Sequence, residues 1–248
     1  MPEQGRGVAG VRELPRRGPS RRAAAEAQQR RVLTAAGEVF ARRGFHATQM
    51  EEIAVRAGIS KPIVYKHFTS KLELYSEVVQ AHADRLVSEV RRAMNIRADN
   101  LARARAAVGV YFDFVEYDPD SFRMLFDTTL PSEPSVRRCT DRAVDDCVHA
   151  VAGILARDLD TDLDQARLVA AGLMGICRFT AQQWSDGGRQ IPKEHAMALA
   201  VTLCVRGLSA GARGSYPTSC RDLDREPTSD RHGNSNRAHG FLNVDLPA

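Results

Sequence analysis

Two short helical segments, separated by the sequence AGIS at residues 57–60, constrain the fold of this chain more than any other feature. The first segment begins near Thr48, which suits an N-cap and stands three residues before Glu51, the spacing of a capping box. The second begins at Ser60, with Pro62 in its first turn. The glycine of the connection permits the left-handed backbone that so tight a turn requires, and the pattern predicts a helix-turn-helix.

Helical periodicity continues along the rest of the chain, and no segment shows sustained two-residue alternation, so the predicted fold class is all-α. The further predicted helices cover residues 23–43, 71–94, 101–117, 120–129, 135–158, 162–185 and 192–212. We expect four regions: a disordered basic arm (1–21), a three-helix helix-turn-helix domain (22–70), a second helical domain (71–212) and a disordered tail (213–248).

Charge is distributed unevenly, with 14 Lys and Arg against 6 Asp and Glu in residues 1–71, and 21 against 25 in the remainder. A basic head on an acidic body is typical of nucleic-acid binding, although charge alone supports that function weakly.

No apolar run approaches the length of a membrane span and no secretory signal is present, so a cytoplasmic protein without a membrane partner is expected. The five cysteines show no metal-ligand spacing; we interpret them as reduced thiols, with redox sensing by Cys139 or Cys220 as the alternative.

The segment after residue 60 separates into a buried and an exposed face. The apolar residues that would pack the two short helices against the preceding one are Ile53, Ala54, Ile59, Val64 and Phe68. The residues left facing outward are Lys61, Ile63, Tyr65, Lys66 and His67. Lysines and a phenol on one face suit a helix seated in the major groove, where such groups reach phosphates and base edges. Many helix corners share the spacing, so spacing alone is moderately specific.

Three stretches, GFHAT at residues 44–48, IAVRAGISK at 53–61 and VYKHFTSKLEL at 64–74, closely resemble the tetracycline-repressor (TetR) family of transcriptional regulators. The resemblance covers about residues 27–75, and the run 53–74 is its most specific part. The C-terminal region matches the family in helix pattern and length only. The resemblance implies a DNA-binding head followed by a helical domain that senses a ligand and forms a dimer.

The resemblance also implies roles for single positions. Thr48, Ser60 and Lys71 would contact phosphates, Lys61 a base edge, and Tyr65 and His67 the DNA backbone. Two residues depart from the family pattern: Pro62 stands where glycine is frequent, and Ile63 replaces a threonine, trading a hydrogen bond for apolar contact. The full set of predicted DNA-binding residues is Thr48, Ser60, Lys61, Pro62, Ile63, Tyr65, Lys66, His67 and Lys71. Thr48 and Ser60 are also candidate helix caps, and the arginines of the arm either contact DNA or form a solvated tail.

Most aromatic residues lie between residues 75 and 212, where apolar clusters usually form core. The resemblance implies a largely apolar ligand pocket among these helices, with Arg123, Arg178 and Gln182 as candidate polar groups. The predicted ligand-binding residues are Tyr111, Phe114, Phe122, Phe126, Met174, Cys177, Arg178 and Trp184. The expected ligand is a small apolar molecule, and neither a cofactor nor a metal is expected.

The last two helices carry faces of small and apolar residues that suit a two-fold, four-helix homodimer interface. These residues are Leu168, Ala171, Gly172 and Gly175 on one helix, and Ala196, Leu199, Ala200, Leu203 and Gly207 on the other. A two-fold dimer presents two recognition helices about one DNA turn apart, which predicts double-stranded DNA with a palindromic operator as the partner.

The expected mechanism is repression relieved by ligand, with the long helix at 71–94 transmitting the shift, although activation and co-repression are alternatives. Two other classes of protein are alternatives. An enzyme would need a phosphate-binding glycine loop, a GxSxG motif or a histidine-containing metal site, and the sequence has none of these, so catalysis is not expected. An architectural DNA binder would need no ligand pocket, so ligand-dependent melting shifts distinguish it from a sensor.

Overall fold

The structure, a computed structural model, describes residues 21–126 and 133–211, with side chains described to Leu208. The predicted arm, apart from its last residue, and the predicted tail lie outside these ranges. The described part is helical throughout, without a strand, so the all-α prediction is confirmed. Its helices are α1 (Arg21–Ala47), α2 (Met50–Ala57), α3 (Lys61–His67), α4 (Lys71–Met94), α5 (Asn100–Tyr117), α6 (Pro119–Phe126), α7 (Pro134–Asp158), α8 (Leu163–Asp186) and α9 (Lys193–Gly211).

Helix ends follow local sequence in most places. Gly44 directly follows the first predicted helix (23–43), and its φ of 72° and ψ of 170° take the backbone out of helical geometry there. Helical turns nevertheless continue to Ala47. Ser70 caps α4 by accepting a hydrogen bond from the Glu73 N–H, and Asp99 and Asp162 cap α5 and α8 in the same way.

The start of α2 differs from the sequence prediction. Gln49 occupies the N-cap position and forms no side-chain cap, so the predicted capping box between Thr48 and Glu51 is absent. The Thr48 hydroxyl instead donates to the carbonyl of Gly44 at 2.7 Å. The bend at Gly44 brings that carbonyl within reach of the hydroxyl, and Thr48 therefore closes the α1–α2 turn from inside.

Helices α1, α2 and α3 form a small unit that packs on the beginning of α4. Its core contains Val32, Val39 and Phe40 from α1 together with Ile53 from α2, all at most 2% exposed. Phe40 and Tyr75 meet edge to face with ring centroids 5.0 Å apart, which anchors α1 to α4. The DNA-binding unit predicted from the sequence is thus joined to the rest of the fold through apolar contact as well as through the chain.

The remaining helices pack around α4 and α5. Helix α4 lies against α7, α5 and α6, α7 packs on α8, and α9 covers both α5 and α8. Phe112 and Leu125 are completely buried in this region. No helix in the described ranges has both the length and the apolar character needed to cross a membrane.

Candidate functional site

The turn between α2 and α3 is held by glycine geometry and by an arginine. Gly58 adopts φ 66° and ψ 38°, and its N–H bonds back to carbonyls of α2. Arg31 of α1 donates to the carbonyl of Ala57 at 2.6 Å. A Cβ at Gly58 would lie 3.1 Å from that guanidinium, so this turn requires glycine for its backbone and has little space for a side chain. These contacts fix the direction in which α3 leaves α2.

Helix α3 has the two faces that the sequence predicted. Val64 and the following Phe68 are at most 2% exposed and pack into the α1–α2 core. The exposed positions are Ser60, Lys61, Pro62, Tyr65 and Lys66. Two predicted outward residues, Ile63 and His67, are half-buried, because they lie at the edge between the faces. His67 Nε2 lies 3.1 Å from the side-chain oxygen of Gln28, which ties α3 to α1.

The cations of α3 differ in their surroundings. Lys61 forms an ion pair with Glu51 of α2, and its ammonium lies 5.8 Å from the centre of the Tyr65 ring. The hydrogen bond to Glu51 raises the pKa of Lys61 and lowers the pKa of Glu51. Lys66 is exposed and forms no ion pair with any described residue. Lys66 is therefore available to a phosphate as it stands, whereas Lys61 must first leave Glu51. The Ser60 hydroxyl makes no cap hydrogen bond and is equally available.

The predicted phosphate contacts by Thr48 and Lys71 stay predictions, and in this structure both side chains bond within the α1–α2 turn. Thr48 is 1% exposed and its hydroxyl donates to the carbonyl of Gly44. The Lys71 ammonium donates to three backbone carbonyls, those of Phe45 (2.8 Å), His46 (3.2 Å) and Thr48 (3.1 Å). It also lies 4.5 Å from the centre of the Phe45 ring. An ammonium has three donors, so Lys71 is fully occupied in holding the α1–α2 turn.

The predicted ligand-binding residues are divided among separate places. Four of them form an aromatic cluster between α5 and α6: Tyr111, Phe114, Phe122 and Phe126, with successive ring centroids 4.9 to 6.5 Å apart. The Tyr111 hydroxyl lies 3.7 Å from the sulfur of Met174, which connects the cluster to α8. Burial raises the pKa of Tyr111 well above its ordinary value, so the phenol stays neutral.

A small apolar cavity of about 50 Å³ lies between α4, α5, α7, α8 and α9. Of the predicted ligand residues, it includes Met174 and Cys177 and none of the aromatic ones. Its other walls are apolar residues that are not among the predicted ligand-binding residues, chiefly Ala104, Ala107, Val108, Ile154, Leu173 and Leu208. Arg103 and Asp158, paired at 3.0 Å, also line it. The sequence feature that could have indicated this cavity is the small alanines of α5, which lie opposite larger aliphatic residues.

Trp184 and Arg178 lie outside that cavity. The Trp184 indole packs on Phe112 and donates to the carbonyl of Ile191 at 2.9 Å, so it closes the α8–α9 corner. The Arg178 guanidinium lies over the rings of Phe126 and Phe179, each at 4.7 Å, and makes no ion pair with a described residue. The other candidate polar groups are Arg123, which is exposed and paired with Asp120, and Gln182, which is half-buried.

The outer faces of α8 and α9 expose apolar side chains. Leu168 is 78% exposed, Phe179 61%, Leu199 52% and Leu203 56%. A Cβ built at Gly172, Gly175 or Gly207 would meet nothing within 4 Å, so the backbone is open to close approach there. Ala196 and Ala200, which the sequence analysis assigned to the same face, are instead buried inside the chain. The exposed strip is therefore narrower than predicted.

Four cysteines fall in the described helices, and all are free thiols. Partial burial raises the pKa of Cys139, and burial raises the pKa of Cys147 to about 12. Because the thiolate is the reactive form, these two thiols have low reactivity at neutral pH, as expected of structural cysteines. Cys220 lies outside the described residues.

Comparisons with known proteins agree with this geometry. A family profile described as bacterial regulatory proteins, tetR family, matches residues 32–78. The chain is 44% identical to the HTH-type transcriptional activator FasR of Mycolicibacterium smegmatis over 178 residues, which cover 72% of this chain and 81% of that protein. Because such relatives are regulators of transcription, the prediction that the chain is not an enzyme is confirmed.

Solved structures with the same fold include a TetR-like transcriptional regulator from Rhodococcus sp. RHA1, with 29% identity and a TM-score of 0.55, covering 73% of this chain and 96% of that one. The transcriptional regulator FadR from Bacillus subtilis, in complex with stearoyl-CoA, has 17% identity and a TM-score of 0.62, covering 72% of this chain and 98% of that one.

Proposed function

This chain belongs to the tetracycline-repressor family of bacterial regulatory proteins, and from that premise we propose that it is a homodimeric regulator whose grip on a palindromic operator is controlled by a ligand with an apolar chain. Residues 22–70 would bind DNA and residues 71–212 would bind the ligand and form the dimer. The observation that carries the proposal is the two-faced α3 helix, with Val64 and Phe68 buried and a hydroxyl, a phenol and two lysines exposed.

We propose the DNA contacts from the exposure of the α3 side chains and from their polar groups that bond to no other part of the described structure. Ser60, Lys66 and Tyr65 offer unoccupied polar groups on one surface, and Lys61 joins them once DNA phosphate replaces Glu51. Pro62 and Ile63 are placed to contact base edges or sugars through apolar atoms. His67 lies at the edge of this surface. Thr48 and Lys71 position α2 and α3 and are not proposed as contacts.

The DNA proposal is tested with matched tyrosines. Tyr65 is 42% exposed on α3, and Tyr117 is 75% exposed at the end of α5, far along the chain from the DNA-binding unit. We expect Tyr65→Ala to weaken binding to the DNA that flanks the protein's own gene at least tenfold, and Tyr117→Ala to leave binding unchanged. Fluorescence anisotropy with labelled duplexes measures both. Equal affinities of the two variants would refute the assignment of α3 as the recognition helix.

The ligand proposal is supported by the apolar cavity that Met174 and Cys177 help to line, and by the acyl ligand bound to the FadR neighbour of the same fold. The mostly aliphatic walls suit a hydrocarbon chain better than a planar polar ring, and the cavity, at about 50 Å³, would have to widen to admit a long chain. The dimer would have two arrangements, of which only one fits DNA. A ligand that binds the other arrangement more tightly would lower operator affinity, and the ratio of its affinities for the two arrangements would set the size of the effect.

A filled cavity tests this proposal. Ala104→Phe adds a ring to the cavity wall on α5, whereas Ala102→Phe makes the same change two residues earlier, at a position that does not line the cavity. We expect saturated acyl-CoA esters, octanoyl to stearoyl, to release DNA from the wild type and from Ala102→Phe, but not from Ala104→Phe. Retained response in Ala104→Phe would place the ligand elsewhere. No response of the wild type to any apolar compound would refute a sensor role.

The homodimer is proposed on the strip formed by Leu168, Phe179, Leu199 and Leu203, because exposed apolar residues next to open glycine backbones suit close packing against a symmetry-related copy. Leu203→Glu should shift the protein to monomer in analytical ultracentrifugation. Val144→Glu, at a 40% exposed position on α7, is the matched control and should remain dimeric. If the wild type is monomeric at micromolar concentration, or if Leu203→Glu remains dimeric, the strip is not the interface.

The sign of regulation is proposed from the relative. A repressor is expected from the sequence, but the 44% identical FasR is an activator, which favours activation by the DNA-bound form. The ligand would then lower transcription. A reporter gene behind the native promoter tests the sign: deletion of the regulator should reduce expression, and a rise in expression would support the repressor prediction instead.

A further inference from the structure

Two cysteines of neighbouring helices, Cys177 on α8 and Cys204 on α9, lie side by side inside the second helical domain. Both are free thiols, and they are 2% and 4% exposed. They line the same small cavity, and their thiols hydrogen-bond to each other. In the described ranges no three His, Cys, Asp or Glu side chains come together as metal ligands, so the reactive groups of this pair are its two sulfurs.

The hydrogen bond makes the two thiols chemically different. Together with burial it raises the pKa of Cys177, and it lowers the pKa of Cys204 although burial opposes that change. Cys177 therefore keeps its proton and donates to the Cys204 sulfur. By contrast, burial raises the pKa of Cys139 and brings the pKa of Cys147 to about 12. Because the thiolate is the reactive form, Cys204 is the described cysteine best prepared to act as a nucleophile.

The cavity gives this buried pair a route to solvent. Asp158, which is exposed, and Arg103, which is half-buried, also line the cavity, so its wall reaches the surface at their ion pair. The cavity measures about 50 Å³, whereas roughly 10–15 Å³ is enough to hold one water molecule. Hydrogen peroxide, with two oxygen atoms, therefore fits beside the sulfurs without displacing a side chain.

We propose that Cys177 and Cys204 are a redox-active pair, which a small peroxide oxidises to a disulfide between α8 and α9. The Cys204 thiolate attacks one oxygen of hydrogen peroxide, the O–O bond breaks, and the other oxygen takes up a proton and leaves as water. Cys204 is then a sulfenic acid. The Cys177 sulfur attacks the Cys204 sulfur, the S–O bond breaks, and the hydroxide leaves with the Cys177 proton as a second water. In total the two thiols lose two electrons, which reduce one peroxide to two molecules of water.

A disulfide at this place would change the surface on which the homodimer is proposed. The two sulfurs of a disulfide are about 2 Å apart, closer than two hydrogen-bonded thiols, so α8 and α9 must approach each other here. Leu203 directly precedes Cys204 and is 56% exposed on the outer face of α9. The bridge would therefore shift Leu203 relative to α8. This consequence rests on the proposed function, whereas the oxidation itself does not.

The test treats the reduced, full-length protein with hydrogen peroxide at neutral pH. Free thiols are counted in denaturant, where the reduced wild type has five, and a peptide map made without reductant locates any disulfide. Dimedone, which traps sulfenic acids, is added in a second series. The variants are Cys177→Ala, Cys204→Ala and Cys147→Ala, the last of which removes another buried thiol as the matched control.

We expect the wild type and Cys147→Ala to lose two thiols to a Cys177–Cys204 disulfide, at least about tenfold faster than Cys147 itself is oxidised, and dithiothreitol to restore both. Cys177→Ala should form no disulfide and should carry dimedone on Cys204, and Cys204→Ala should show neither product. Oxidation of the wild type should change its affinity for operator DNA by about fivefold or more, and Cys177→Ala should lack this response.

The inference is overturned if peroxide leaves the wild type with five thiols, or if the disulfide joins Cys139 or Cys220 instead. The wild-type peptide map needs no variant, so it decides this point even if a substitution weakens folding. Dimedone on Cys177 in Cys204→Ala would refute the assigned nucleophile. If the disulfide forms and operator affinity does not change, its regulatory consequence is wrong. If neither the reduced nor the oxidised protein binds DNA, the proposed function fails, and the thiol count still decides the oxidation.

Discussion

Lys71→Met separates two roles that a lysine at the start of α4 can have, a phosphate contact and a structural clamp. In this structure the Lys71 ammonium donates to the carbonyls of Phe45, His46 and Thr48, at 2.8 to 3.2 Å. Methionine keeps the length and the apolar stem of the side chain but removes all three donors and the charge. The substitution therefore releases the α1–α2 turn without opening a large void.

The loss can be estimated from these contacts. A hydrogen bond to a charged group contributes about 1.5–3 kcal/mol when buried, and a cation over an aromatic face about 0.5–1 kcal/mol at an exposed site. Lys71 is only half-buried, and water can replace the lost donors at the exposed carbonyl of His46. We therefore expect a loss of about 2 kcal/mol in the free energy of unfolding, or a melting temperature lower by roughly 4–8 °C for a domain of this size.

The assay pairs thermal melting with the salt dependence of operator binding. Each phosphate contact contributes about 0.9 to the slope of log affinity against log salt, so loss of one contact per protomer from a two-fold dimer lowers the slope by about 1.8. Lys71→Met should lower stability and leave the slope unchanged below the melting temperature. Lys66→Met, at an exposed and unpaired position, should do the reverse. A reduced slope with unaltered stability in Lys71→Met would refute the clamp.

Three further substitutions test the fold, each by thermal or urea unfolding. Gly58→Ala should cost about 1–2 kcal/mol, because its φ of 66° is strained for alanine and the added methyl meets Arg31; an unchanged midpoint would contradict the turn geometry. Phe112→Ala, at a completely buried position, should cost about 3–5 kcal/mol, and a loss below 1 kcal/mol would mean that its site is not packed as described. His82 is half-buried beside Ser121, and its partial loss of hydration lowers its pKa from 6.5, so the unfolded chain binds this proton more tightly. Stability should be full above pH 7 and fall as the pH drops below 6.5, and His82→Gln should lose that part of the pH dependence; identical pH profiles would refute the assignment.

The parts of this structure that the sequence predicted well are those set by local rules. The turn at Gly58 follows from a backbone conformation that glycine adopts without strain, and the faces of α3 follow from helical spacing, which separates Val64 and Phe68 from Tyr65 and Lys66. Helix α4 likewise begins at the Ser70 cap, which hydrogen-bonds three residues ahead. Each of these features depends on residues within one or two turns of one another.

The contacts that the sequence did not predict join residues that only the tertiary fold brings together. Lys71 meets carbonyls that lie 23 to 26 residues earlier in the chain, because the bend at Gly44 turns them toward α4. Helix α9 also shows what local sequence cannot predict. It carries apolar residues on both sides, so spacing alone could not tell that Ala196 and Ala200 face inward while Leu203 faces out. The lining of the cavity was predicted only in part, for a related reason: its walls come from five helices, and of the predicted ligand residues only Met174 and Cys177 line it.

The length of α4 has a mechanical consequence. Its 24 residues span about 36 Å at 1.5 Å per residue, and one end is fastened to the α1–α2 turn by the Lys71 ammonium. A rigid rod of that length that pivots by about 5° displaces its far end by roughly 3 Å, about the full length of a hydrogen bond. If the pivot lay near Met94, where the helix borders the cavity, the end that carries the DNA-binding unit would move by that distance.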